Sequence, residues 1–295
     1  MNFSKKLNNG KFIITAEIAP PRGIDTDKIL KGIYPLKEYV DAFNITDNQR
    51  SMVRASSVVM SKVLLDNGFE PICQFTGRDR NRIGLQSDIL GAGIFGIKNI
   101  LVMTGDFPTL GDEQGAKPVF DVDSLQILKM VKLLQEGKLI NGKELNGKPK
   151  FNIGAVFNPF AGPEHLQIAK LNKKVELGAK FIQTQPVYDI KTAKYAHEII
   201  EQSGAVPIIG LLPINSLKMA NFIKKLNPHS VPDSFLEKLS KAKDPYSYGW
   251  EYALNLAQSV TEFGRGIHFM LVGKTEDLAQ FIDYLKNDSP YNHKF

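Results

Sequence analysis

The chain has 295 residues, of which 43% are hydrophobic and 23% charged, and carries a formal charge of +6 from 37 basic and 31 acidic side chains. That balance excludes disordered and fibrous classes and allows a large core. The single cysteine, Cys73, excludes a disulfide scaffold and a cysteine-rich zinc cage. No stretch of ~18 apolar residues occurs, and Met1-Asn2-Phe3-Ser4-Lys5-Lys6 leads into no signal-like segment, so a cytoplasmic chain without a membrane span is expected. The lysines are scattered, which mildly favours anionic ligands. The aromatic residues are not interleaved with basic ones as nucleic-acid binding requires.

Length alone allows two domains or one barrel of ~250 residues. In chain order, β-rich apolar runs predict strands over 12–18, 42–46, 71–76, 99–104, 151–157, 181–187, 207–213 and 266–272. Segments with apolar residues at helical spacing lie between them, over 51–65, 80–94, 122–134, 163–177, 192–202 and 217–226. Two places break the period. A polar excursion with Asn141-Gly142 and Asn146-Gly147 predicts a hairpin turn before the fifth strand. Residues 232–240 and 246–263 predict two extra helices, split by the turn-forming Asp244-Pro245. Eight βα units in one chain predict a closed (β/α)8 barrel, a TIM barrel, spanning 1–295 as a single catalytic domain with the extra helices between strands seven and eight. A doubly wound open sheet is the competing arrangement.

In such a barrel the chemistry gathers at the C-terminal strand ends. Alternation puts Thr15 with Glu17, Asn44 with Thr46, Gln74 with Thr76, and Gln183 with Gln185 on one face each, and strand four ends in Thr104-Gly105-Asp106. If that face is the lumen, two carboxylates and several amides and hydroxyls converge on one mouth, suited to a heteroaromatic ligand. Each residue alone reads equally well as a helix cap or salt-bridge partner; the convergence favours function. Glu17 stands out because Pro20-Pro21 stiffens the turn after it, and a carboxyl desolvated in such a mouth suits general-acid work near neutral pH.

Other motifs carry less. Gly91-Ala92-Gly93-Ile94-Phe95-Gly96 matches a dinucleotide fingerprint but precedes a strand instead of following one, and reads as a helix exit. The five histidines show no metal-ligand spacing, so no metal site is expected. Arg78, Arg80 and Arg82 form the densest basic cluster, which reads equally as a solvated helix start with internal ion pairs or as an anion site.

The strand ends resemble a known family. A-E-I-A-P-P at 16–21, T-G-D-F-P at 104–108 and K-V-E-L-G-A-K-F-I-Q-T-Q at 174–185 are similar to signatures of the 5,10-methylenetetrahydrofolate reductases, as are Leu211-Leu212-Pro213 and Gly266-Ile267-His268-Phe269. N-I-T-D-N-Q-R at 44–50 and G-R-D-R-N-R at 77–82 resemble the short reductases of acetyl-CoA-pathway organisms. The resemblance covers nearly the whole chain.

It implies a flavoprotein that reduces the methylene carbon on a reduced pterin to a methyl group. Glu17 would protonate the pterin, Asp106 would stabilise the resulting cation, Gln185 would orient the ring, and Thr46 and Met270 would complete the substrate contacts. Flavin would be held by Thr46, Gln74, Thr104, Gly105, Asp106, Phe157 and Lys174, with Lys174 facing a phosphate. Thr104, Gln74 and Gln167 stand where well-studied members carry an arginine, a histidine and an aspartate, and Met270 replaces a tyrosine, so FAD and FMN both stay open. The donor would be NAD(P)H or a partner protein, such as a small zinc-containing subunit or an electron-transfer complex. An oligomer is expected, and either tetrahydrofolate or tetrahydromethanopterin fits. The alternatives are a flavin-free pterin methyltransferase and a non-catalytic subunit used for docking.

Overall fold

The computed structural model describes residues 3–270, 275–287, 290 and 294. Eight parallel strands close into a barrel: β1 (Ile13–Ile18), β2 (Ala42–Ile45), β3 (Pro71–Thr76), β4 (Asn99–Met103), β5 (Asn152–Phe157), β6 (Ala179–Thr184), β7 (Val206–Leu211) and β8 (Gly266–Phe269). Each strand pairs with its sequence neighbour, and β1 pairs with β8 through Ile13↔Gly266 and Thr15↔His268. The open-sheet alternative is thereby excluded. The expected strand over 266–272 ends at Phe269, and 271–272 lie outside the described residues.

The helices in chain order are α1 (Phe3–Asn9), α2 (Asp27–Ile33), α3 (Ser57–Asp66), α4 (Arg82–Ile94), α5 (Ser124–Glu136), α6 (Glu164–Glu176), α7 (Ile190–Gln202), α8 (Leu217–Leu226), α9 (Asp233–Lys241), α10 (Pro245–Phe263) and α11 (Thr275–Asn287). Several are started by side chains at the mouth-side loops, where they satisfy amides that the helix itself cannot. Asn81 accepts from the amides of Ile83 and Gly84 at α4, Asp123 and Gln126 form a reciprocal capping box at α5, and Ser216 caps α8. The predicted extra helices are α9 and α10, and Asp244 caps the latter ahead of Pro245. The predicted hairpin is an antiparallel bridge between Lys138 and Glu144, with Gly142 at φ +86°. The Gly91 to Gly96 motif belongs to α4, which runs through its first two glycines and ends before Gly96 at φ +78°.

Strand alternation divides the core. Outward residues such as Ile14, Phe43, Phe75, Val102 and Phe157 pack against the helices. Inward residues Ile13, Ala42, Ile72, Leu101, Phe181 and Ile208 form a separate apolar layer low in the lumen, onto which α1 presses Phe3 and Leu7. Phe3 meets Phe181 edge to face at 5.1 Å. The next inward positions on five strands, Thr15, Asn44, Gln74, Gln183 and His268, are polar, so the lumen changes character within one layer.

Candidate active site

That polar layer is hydrogen-bonded across the barrel. Asn44 Nδ2 donates to Gln183 Oε1 at 2.6 Å, and Gln183 Nε2 reaches Thr15 Oγ1 at 3.4 Å. Thr15 Oγ1 lies 2.9 Å from His268 Nδ1 and points its own hydroxyl towards the Ile267 carbonyl at 3.5 Å. On the other side of the buried imidazole, Nε2 faces Glu17 Oε2 at 3.9 Å. Glu17 therefore stands at the top of a polar chain that spans the lumen.

Above it the loop after β2 folds over the mouth. Gln49 Nε2 donates to Glu17 Oε1 at 2.7 Å, and the backbone amide of Arg50 donates to Asp106 Oδ2 at 3.1 Å. Neighbouring residues of one loop thus touch both carboxylates that the sequence singles out. Asn48, Arg50 and Ser51 adopt left-handed backbone conformations at φ +48°, +56° and +58°, a strain that non-glycine residues bear only where surrounding contacts over-determine it. The helix expected over 51–65 starts at Ser57 instead, because residues 49–56 are committed to this loop.

The contacts that hold the loop come largely from Arg78, whose side chain is 2% exposed. It forks onto the Asp79 carboxylate at 2.7 and 2.6 Å and donates to the carbonyls of Asn48 at 3.1 Å and of Asp47 and Asp106 at 3.5 Å. Burial alone would raise the Asp79 carboxyl, yet the Arg78 fork holds it below the ordinary range. Arg80 pairs with Asp47 and Asp88, and Arg82 with Asp121. The basic cluster is therefore a set of internal ion pairs, but Arg78 and most of Arg80 lie under the loops and are not solvated. Burial pushes the Asp47 carboxyl up, against the pull of Arg80 and two hydrogen bonds from Thr76.

Close backbone approach completes the mouth. At Gly105, φ is +99° and a Cβ would sit 3.1 Å from Cβ of both Thr76 and Arg78. At Gly111 a Cβ would lie 1.9 Å from the Ser51 carbonyl oxygen, so the loop after β4 packs directly on the strained loop after β2.

The structure brings Glu17, Thr46, Gln74, Thr104, Gly105, Asp106, Gln185 and Met270 to the strand ends around this mouth. Thr46 Oγ1 is buried without a hydrogen-bond partner. Among the expected flavin contacts, Lys174 lies away from the strand ends and Phe157 turns from the mouth. Its side chain belongs to the outer core because β5 turns Gly154 and Val156 inward, and only its carbonyl, accepting from the Gln185 amide at 2.8 Å, lies near the mouth. Lys174 sits on α6 behind β5 and donates to the Val156 carbonyl at 2.6 Å. Burial pushes its ammonium down to about 8, with repulsion from Lys170 adding and Asp123 opposing.

The geometry defines a class, a (β/α)8 barrel with two braced carboxylates and a polar lumen at its C-terminal mouth. The family model for methylenetetrahydrofolate reductase matches residues 2–286, and the chain belongs to that family. A probable methylenetetrahydrofolate reductase (NADPH) of Caenorhabditis elegans is 23% identical over 245 residues, 79% of this chain; the chain spans 35% of that longer protein. Two solved structures share the fold: EDTA monooxygenase from Chelativorans sp. BNC1, with a TM-score of 0.56 and 9% identity over 97% of this chain and 95% of that one, and 2,3-dimethylmalate lyase, with 0.54 and 12% over 97% and 85%. At such identities they speak to architecture alone.

Proposed function

We propose that the chain reduces a 5,10-methylene pterin, tetrahydrofolate or tetrahydromethanopterin, to its 5-methyl form with a bound flavin. The observation that carries this reading is the pair of carboxylates, Glu17 and Asp106, tied to one loop through Gln49 and the Arg50 amide. Two features fit a flavin. The buried Thr46 hydroxyl has no partner, and the partly buried Lys174 ammonium donates to the Val156 carbonyl, where a phosphate would complete its shell. Thr46, Gln74, Thr104, Gly105 and Asp106 would hold the ring system and ribityl chain, and Lys174 the phosphate.

The residues of the mouth divide the work. Glu17 gives a proton to N10 of the pterin; the bond from the bridging carbon to N10 breaks, and the N5 lone pair forms the iminium cation. Gln49 fixes the Glu17 carboxyl for that transfer through its 2.7 Å hydrogen bond, and His268 lies beside it at 3.9 Å. Asp106 carries the negative charge that stabilises the cation as it develops. Gln185 orients the ring through its amide, and Met270 packs beside it. The hydride that turns the exocyclic carbon into a methyl group is the chemistry a bound reduced flavin would supply. NAD(P)H or a partner protein would re-reduce the flavin.

The visible spectrum of the purified protein, with chromatography of what acid releases, tests the reading. A yellow protein yielding FMN or FAD is the expected result and decides between them. A colourless protein that binds neither on reconstitution would move the assignment to a flavin-free methyltransferase.

A further inference from the structure

Arg50 differs from four of the arginines around it; Arg54, also without a carboxylate, donates to the Pro20 carbonyl. Arg22, Arg78, Arg80 and Arg82 each pair with a carboxylate, on Asp112, Asp79, Asp47 and Asp121. The Arg50 guanidinium instead lies over Phe222, its Cζ 4.7 Å from the ring centroid of a side chain that is 40% exposed on α8. Its backbone is held at φ +56° with its amide on Asp106, so the side chain starts beside the carboxylate assigned to the pterin and crosses from the β2 loop to α8. Stacking on an aromatic face fixes a guanidinium while leaving its edge N–H donors outward. Lys218 lies four residues before Phe222, on the same side of α8, and adds a second positive charge to this rim.

A pterin seated between Glu17 and Asp106 must send the aryl group on N10 out of the mouth. Beyond that aryl linker the molecule carries its anionic groups: glutamate carboxylates in the folates, carboxylate and phosphodiester in methanopterin. We propose that Arg50, seated on Phe222, is the contact for this anionic tail, a specificity-determining residue separate from the reacting atoms. The inference rests on the pterin reading above. A carboxylate or phosphate edge against the fixed fork makes charge-assisted hydrogen bonds, and strain in the loop is offset by the placement it secures.

The test uses the flavin-loaded protein oxidising 5-methyl-tetrahydrofolate, with one or with five glutamates, or 5-methyl-tetrahydromethanopterin, with menadione as acceptor. Arg50→Gln is expected to raise KM about tenfold for the pterin that the wild type prefers, with kcat falling less than threefold and the flavin spectrum retained. Arg50→Lys is expected to recover most of the affinity, and added salt to weaken wild-type binding more than that of Arg50→Gln. The preferred pterin identifies the tail as folate or methanopterin. An Arg50→Gln variant with KM within twofold of wild type, or one that loses kcat at constant KM, overturns the tail assignment and leaves the reductase standing. A wild-type protein that oxidises neither pterin overturns the reductase reading, and the tail assignment with it.

Discussion

The N-terminal end of the barrel is closed by packing, while the C-terminal end is held in shape by hydrogen bonds and ion pairs. At the closed end Phe3 and Leu7 of α1 fill the lumen against Ile13, Ala42, Ile72 and Phe181. Lys6 seals the seam through Asp41 at 3.0 Å, and Ser4 joins a network with Glu70, Asn99 and Asn152. At the mouth, the described non-glycine residues with left-handed backbone, Asn48, Arg50, Ser51 and Phe120, all lie in the loops after β2 and β4. Backbone strain is concentrated where a ligand is to be placed, whereas the opposite end combines apolar packing with the buried Lys6–Asp41 pair. A division of this kind lets chemistry change at one end without unmaking the other.

Two substitutions separate the ends most sharply. Glu17→Gln keeps the size of the side chain and is expected to lower pterin turnover by about 10² to 10⁴ fold while sparing bound flavin and the unfolding midpoint. Wild-type turnover in that variant would place the acid elsewhere. Phe3→Ala is expected to do the reverse, costing about 3–5 kcal/mol in denaturant unfolding through the lost transfer energy and the cavity left in the lumen. The KM of its folded fraction should match wild type. A loss below about 1 kcal/mol would show that the site collapses around the missing ring.

A smaller effect tests the mouth alone. Gln185→Ala removes an amide at the end of β6 without touching the carboxylate pair, and is expected to raise the pterin KM about tenfold, one charge-neutral recognition contact. Flavin content should not change. Loss of flavin with an unaltered KM would show that the amide serves the cofactor instead.

Much of the architecture is legible in the sequence because it depends on short-range patterns. The eight strands are apolar runs bounded by turn residues, and caps such as Asp123, Ser216 and Asp244 stand next to helical periods. What escapes depends on distant contacts. In α1, seven residues with the sequence FSKKLNN, the period is too short to announce a helix; its stability comes from Phe3 inside the barrel. Arg78 reads as a surface cation until the loops after β2 and β4 are seen to close over it. The strand ends Glu17, Asp106 and Gln185 can be singled out by their positions, whereas Gln49 and Arg50 lie just before the 51–65 stretch, whose helical periodicity hides how far the loop runs. The alternation that places Thr15 inward also places His268 inward, so the imidazole facing Glu17 was available to the same argument. Phe157 is where that argument cuts the other way, since β5 alternation sends its ring outward.

Lys174 gives the gentlest test, because it titrates in an accessible range. Burial holds its ammonium near 8 in the protein, against ~10.4 for an unfolded lysine. Between those values the unfolded chain binds a proton that the native one has released, so stability of the flavin-free protein should rise with pH there; below about 8 the cost of the buried charge is fully present. A bound phosphate favours the charged form. Flavin binding therefore takes up a proton as the pH climbs above 8, and its affinity should fall by up to about tenfold per pH unit, the limit for one proton. Fluorescence titration of flavin between pH 6.5 and 9.5 would read this slope, and Lys174→Met should flatten it while weakening binding at pH 7 several-fold. A wild-type slope that persists in Lys174→Met would assign the proton, and with it the phosphate contact, to another group.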